Sequence, residues 1–201
     1  MDAQTIVELI GVLFLGAVSA YQTWKVRHLE KQRDSGFTLS LNYEQMFTIN
    51  ECLSSAMANT ELDRIYFFVA RNGVTPCRTY AVIQQRSGEH VECFSYQNVN
   101  LDSHYQNMLL SDVFGMKGQH YIPDVNEMPD CRLGVWYRNE KLKSSLVLPG
   151  KKFTHGKGHI FYVYGSFATH TGEGMSGRTK LISEECVQRV MPIIEKALKF
   201  Q

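Results

Sequence analysis

The sequence predicts an α+β protein: a mixed, mostly antiparallel sheet of five to six strands flanked by helices, behind one N-terminal transmembrane helix. Three observations predict it. An apolar run of membrane-spanning length lies near the start, from Ile6 to Trp24. Short β-branched and aromatic runs, closed by turn residues, recur between residues 63 and 169. Two other stretches, residues 43–58 and 183–198, carry apolar side chains at spacings of three and four instead.

The first run reads IVELIGVLFLGAVSAYQTW. As a helix it rises about 28 Å, close to a hydrocarbon core of about 30 Å. Glu8 is its only charge and sits within a turn of one end; Tyr21 and Trp24 mark the other, where aromatic rings favour the membrane–water boundary. Lys25, Arg27, His28, Lys31 and Arg33 follow directly. Positive flanks stay in the cytoplasm, so the expectation is a single-pass protein of the inner membrane, N-terminus out and soluble domain in the cytoplasm. Lys25, Arg27, Lys31 and Arg33 would then face anionic headgroups of the bilayer. Asp34-Ser35-Gly36 breaks the helix, which divides the chain into an anchor with a basic helix, 1–35, and a soluble domain, 36–201. A cleaved signal peptide is the alternative. It would carry positive charge ahead of the apolar run, but the chain opens MDAQT; Ala17-Val18-Ser19 does imitate a cleavage site.

The soluble domain then reads element by element. A helix spans residues 43–58, with Asn42 as N-cap, Glu44 in its first turn and Met46, Ile49, Leu53 and Met57 on a stripe beside Phe47 and Ala56. Residues 63–70, DRIYFFVA, form a buried strand closed by Arg71-Asn72-Gly73. Strands at 79–85 and 91–97 make a hairpin around Arg86-Ser87-Gly88-Glu89. A helix at 101–114 sets Tyr105, Met108, Leu109 and Val113 on one side. A short extended piece follows at 120–123, then a segment at 130–142 that is helical or irregular. Residues 143–148 are a strand ending at Pro149-Gly150, and 159–169, HIFYVYGSFAT, are the longest strand. A glycine-rich loop at 170–180 leads to a helix opening at Ser183, with Glu184 and Glu185 in its first turn and Pro192 kinking its interior.

Charge and cysteine usage exclude some functions. A net charge of +1 argues against nucleic acid as a partner, because phosphate binding needs a basic surface. The five cysteines, Cys52, Cys77, Cys93, Cys131 and Cys186, are odd in number and form no C-x-x-C pair, so they read as reduced thiols and not as a disulfide framework.

The element order resembles that of the GAF domain. Leu62 to Phe68 look like the first GAF strand and its entry, Leu142 to Pro149 like the late strand that ends in proline, and Gly158 to Gly165 like the next one. Ile182-Ser183-Glu184-Glu185 is similar to the opening of the family's closing helix. The resemblance covers about residues 40 to 200 and rests on pattern, without an invariant motif. It implies a mostly antiparallel sheet with helices on both sides, ligand sensing or dimerisation, and, with the anchor, a bacterial or phage source.

The chemistry candidates are few. Gly172 to Thr179 fit both G-x-G-x-x-G and G-x-x-x-x-G-R-T, but Arg178 stands where a phosphate loop has lysine, and the reading preferred is a strand-to-helix connection. The seven histidines form no ligand pair, so no metal site and no cofactor are expected. No G-x-S-x-G occurs and no catalytic residue is assigned. Cys77, Cys93 and Cys131 are what a thiol redox enzyme of this fold would have to use. Aromatic rings with polar tips suit a small-molecule pocket, and the candidates to line one are Tyr80, Tyr96, His104, Trp136, Tyr137 and Tyr162. Tyr162 and Tyr164 share one strand face, with Phe161 and Val163 on the other. The resulting expectation is a membrane-tethered, non-catalytic GAF-like sensory or ligand-binding module. Its alternative is a structural or interaction protein that forms a homodimer or docks a partner at the membrane face.

Overall fold

The computed structural model describes residues 36–72, 77–86, 99–156, 158–170 and 174–200. The expected anchor, the basic residues Lys25, Arg27, Lys31 and Arg33, the strand expected at 91–97, Tyr96 and Cys93 therefore lie outside the described residues. Among the described residues no helix is long and apolar enough to cross a membrane. The chain falls into two units, one of residues 1–38 with 200–201 and one of Leu39–Lys199; the elements below belong to the second, apart from the ends of its first and last strands.

The elements run β1 (Phe37–Leu39), α1 (Tyr43–Ala58), β2 (Arg64–Asn72), β3 (Arg78–Arg86), β4 (Val99–Asn100), α2 (Ser103–Asn107), a π-helical turn (Met108–Val113), β5 (His120–Ile122), a 3₁₀ turn (Val125–Glu127), α3 (Arg132–Asn139), β6 (Ser144–His155), β7 (His159–Thr169), α4 (Gly177–Ala197) and β8 (Leu198–Phe200). The main sheet has six strands in the order β4-β3-β2-β7-β6-β5. Every neighbouring pair in it is antiparallel, so the expected mixed sheet is corrected to an antiparallel one. The longest apolar runs, β2 and β7, take the centre, where both edges are paired and both faces covered.

Strand alternation sorts the core into two layers. Tyr66, Phe68, Ala70, Tyr162, Tyr164 and Ala168 face α2, the π turn and α3. Ile65, Phe67, Val69, Phe161, Val163 and Phe167 project from the alternate positions, on the face where α4 packs against β6 and β7 and α1 against α4. Gly165 permits a close approach there: a Cβ would fall 2.8 Å from the Phe167 ring and 3.2 Å from Val187 of α4.

Helix starts follow local capping. Asn42 opens α1 with a reciprocal box: its side chain accepts from Gln45 N (2.8 Å) while Gln45 Oε1 accepts from Asn42 N (2.9 Å). The face α1 buries is Ile49, Cys52, Leu53 and Ala56. Met46 and Phe47, expected on the buried stripe, are exposed at 50% and 59%. They lie beyond the stretch of α1 that packs inward.

Two boundaries are corrected. β6 does not stop at Pro149 but continues to His155, with a register shift between Pro149 and Lys151. β5 covers β6 only at Ser145–Val147, so a proline sits here at a bulge on an outer edge, where a missing N–H is tolerated. α4 starts at Gly177, not Ser183. Ser176 caps it by accepting from Thr179 N (3.1 Å), while Ser183 is buried inside the helix and donates to Thr179 O (2.8 Å). The helix runs on through Pro192.

Candidate functional site

Between the sheet and the cover formed by α2, the π turn and α3, the core is not purely apolar. Arg64 opens β2 on this face and is 1% exposed. Its guanidinium forms an ion pair with Glu140, which is 2% exposed, and donates from Nη2 to Ser166 Oγ at 3.0 Å. The same group lies 4.9 Å from the centre of the Tyr66 ring and 5.2 Å from that of Tyr137. A planar cation between two ring faces is the environment in which a desolvated arginine keeps its charge.

The cover delivers Glu140. α3 ends in a Schellman turn: Leu142 N donates to Tyr137 O and Lys141 N to Arg138 O, both at 2.9 Å. Lys141 takes the left-handed conformation this turn needs, with φ 58°. Leu142 and Tyr137 are both buried, and Glu140 is held between them over Arg64. A second contact steadies the turn, His170 Nε2 lying 2.9 Å from Glu140 O with His170 Nδ1 2.7 Å from Asp63 Oδ1. At its other end α3 is tied to α2 by Asp102, which accepts from Tyr105 N (2.8 Å) and from Arg132 N (3.1 Å).

Beside the ion pair lies a hydroxyl cluster. Tyr164 Oη is 2.8 Å from Tyr105 Oη and 3.0 Å from Thr79 Oγ1. Its ring stacks on Phe68 at 5.3 Å. Burial pushes the Tyr164 phenol well above the ordinary tyrosine range, against the bonds from Thr79 and Tyr105. Arg64, Phe68, Thr79, Tyr105, Leu133, Trp136, Tyr137 and Ser166 line a cavity here of about 10 Å³, the room of one water molecule.

No family model matches, and no curated protein matches. Solved structures do. The GAF domain of a two-component sensor histidine kinase from Bacillus halodurans superposes with a TM-score of 0.53 at 16% identity, over 79% of this chain and 96% of that one. The GAF domain region of a Geobacter sulfurreducens protein does so with a TM-score of 0.50 at 13% identity, over 76% and 94%. This chain has the GAF fold.

On that fold the expected pocket residues separate. Trp136 and Tyr137 line the small cavity. Tyr162 faces the same layer but packs on Phe114, ring centres 4.8 Å apart, away from the arginine. Tyr80 is buried on the opposite face: it pairs with Val69, and a register shift between Phe67 and Phe68 fixes its side of the sheet. His104 is exposed on the outer side of α2, while its neighbour Tyr105 points in. Arg64, Glu140, Thr79 and Ser166 were not among the expected site residues. The available signal was a charge inside the run RIYFFVA, which must find a partner once that strand is buried.

The described part of the glycine-rich loop leads into α4. The N-terminus of α4 already holds a carboxylate, because Glu61 accepts from Ser176 N (2.7 Å) and from Thr179 Oγ1. Burial raises the Glu61 carboxyl, but these bonds outweigh it and hold the group below its usual range. Two of the three thiol candidates, Cys77 and Cys131, lie among the described residues. Cys77 is buried and pushed up to about 11, leaving little thiolate at neutral pH. Cys131 caps α3, accepting from Gly134 N at 3.4 Å.

Proposed function

We propose that this chain is a membrane-tethered, non-catalytic sensory module that takes a small carboxylate between its sheet and the covering helices, on Arg64. The observation that carries the reading is the buried guanidinium paired with Glu140, a carboxylate supplied by the turn that closes α3. A scaffold gains nothing from a buried ion pair that apolar side chains would replace at no loss. A receptor does gain, because an incoming carboxylate can take the place of Glu140, free the end of α3 and so convert binding into movement. The cavity beside Arg64 has room for one water molecule, so on this reading a carboxylate enters as the end of α3 gives way. The tether rests on the length of the apolar run from Ile6 to Trp24 and on the cations that follow it, with the domain on the cytoplasmic side.

The test uses the full chain in lipid nanodiscs. Glu140→Ala should be destabilised and then rescued by millimolar formate or acetate, while Arg64→Met with Glu140→Ala should not respond. Short mono- and dicarboxylates should raise the melting temperature of the unaltered chain as RT ln(1 + [L]/Kd) dictates. If neither chain responds to any carboxylate, the reading is wrong.

A docking role is favoured by one other observation. Tyr43, Met46 and Phe47 expose 85%, 50% and 59% of their surface at the start of α1, an apolar patch of the kind that marks contact surfaces. On this reading the full chain in detergent sediments as a dimer, and Phe47→Asp disperses it; a monomer at every concentration excludes a homodimer.

A further inference from the structure

On the sheet face opposite Arg64, α1 and α4 bring two thiols together. Cys52 and Cys186 are both buried, free of any disulfide, and their sulfurs lie 3.7 Å apart. They are separated by 134 positions in the chain, so only the packing of these two helices makes them neighbours. A cleft of about 180 Å³ reaches both residues, flanked by Ser55, Asn59, Arg178 and Arg189. That is room for a small solute as well as water. Interior packing alone does not require two sulfurs in contact at the floor of a cleft edged by two guanidinium groups.

We propose that Cys52 and Cys186 are a peroxide-reactive thiol pair, Cys52 being the sulfur attacked by a small hydroperoxide and Cys186 the one that closes a disulfide between α1 and α4. In the first step the Cys52 thiolate attacks the terminal oxygen of the hydroperoxide. An S–O bond forms, the O–O bond breaks, and the departing alkoxide takes a proton to leave as an alcohol, or as water from hydrogen peroxide. The sulfur is oxidised by two electrons to a sulfenic acid. In the second step the Cys186 sulfur attacks that sulfenic sulfur; the S–S bond forms, the S–O bond breaks, and hydroxide leaves with the Cys186 proton as water. Two thiols and one hydroperoxide become one disulfide, one alcohol and one water.

The assignment of roles follows from the surroundings. The hydrogen bond with Cys186, helped by the charge of Arg189, lowers Cys52 to about 7 against the opposing effect of burial. The same contact and its own burial push Cys186 up, so it keeps its proton until the sulfenic acid is in place. Bond closure needs an approach of about 1.7 Å, from the present separation to the S–S length of about 2.05 Å. This pair lies apart from Arg64 and Glu140, so the inference stands or falls independently of the carboxylate reading.

The experiment treats the full chain in nanodiscs with a few equivalents of hydrogen peroxide, followed by peptide mapping with and without reductant. The expected product is a reducible peptide joining Cys52 to Cys186. Its loop is long, so the melting temperature should rise by roughly 10 °C and return on reduction. In Cys186→Ser the reaction should halt at a sulfenic acid on Cys52 that a dimedone probe captures, and Cys186→Ala serves if the serine variant folds poorly. Oxidation confined to Cys77, Cys93 or Cys131, or a Cys52 that stays unlabelled in both variants while the protein remains folded, overturns the proposal.

Discussion

Glu140→Leu is expected to destabilise the domain by about 3–5 kcal/mol, and adding Arg64→Met to recover most or all of that loss. The sign of the second step is the informative part. Glu140→Leu removes the carboxylate paired with a guanidinium that is 1% exposed, and neither Ser166 Oγ nor the two ring faces beside it carries a full charge. Ring faces contribute about 1–2 kcal/mol to a desolvated cation, too little to replace a carboxylate. Methionine then fills much of the same length with no charge to solvate, and its thioether suits the faces of Tyr66 and Tyr137. In a domain of this size each kcal/mol moves the melting temperature by roughly 2–4 °C, so the single variant should melt about 10 °C lower. Urea midpoints for the parent, both single variants and the double variant give the coupling directly. A single variant that loses less than about 1 kcal/mol would mean that water reaches the pair, contrary to its burial.

The parts of the fold that were legible are those fixed by neighbours in sequence. β7 was read to its first and last residue because HIFYVYGSFAT is long, β-rich and closed by turn signals at both ends. The start of α1 is legible in Asn42, a good N-cap residue, with Glu44 in the first turn; the structure adds a reciprocal bond with Gln45, which is also local. The start of α4 was not legible, although Ser183-Glu184-Glu185 is a valid capping signal. The cap in use is Ser176, completed by Glu61 from 115 positions earlier, and no local pattern reports such a partner. The candidate site divides in the same way. Alternation told that Tyr162 and Tyr164 share a face, and helical spacing told that Tyr105 points inward with Met108 and Leu109. Neither told which face of the sheet the cover would take, so Tyr80 was placed with the pocket when it belongs to the other layer. The role of Arg64 was not legible because its carboxylate lies 76 positions away, in a turn whose left-handed residue is a lysine and not the glycine that marks such turns.

Tyr164→Phe is expected to cost about 1–3 kcal/mol at neutral pH and to remove part of the protein's sensitivity to alkali. The ring itself is retained, so stacking on Phe68 and the packing volume hold. What goes is one oxygen that serves two others, Tyr105 Oη at 2.8 Å and Thr79 Oγ1 at 3.0 Å. Both stay buried, and a hydrogen bond lost inside a buried hydroxyl cluster costs more than one lost where water can replace it. The linkage argument fixes the pH dependence. The Tyr164 phenol in the folded chain ionises well above its unfolded value of about 10, so the unfolded chain releases this proton first. Its contribution is therefore complete below about pH 10 and declines as pH rises from there towards the folded value. Unfolding free energies measured across that range should fall in the parent chain, and fall less steeply in Tyr164→Phe. The phenolate absorbance of Tyr164 should develop together with loss of structure and not before it. Ionisation of this tyrosine in a chain that is still folded would mean that the layer between sheet and cover is open to water, and the closed receptor described above would fall with it.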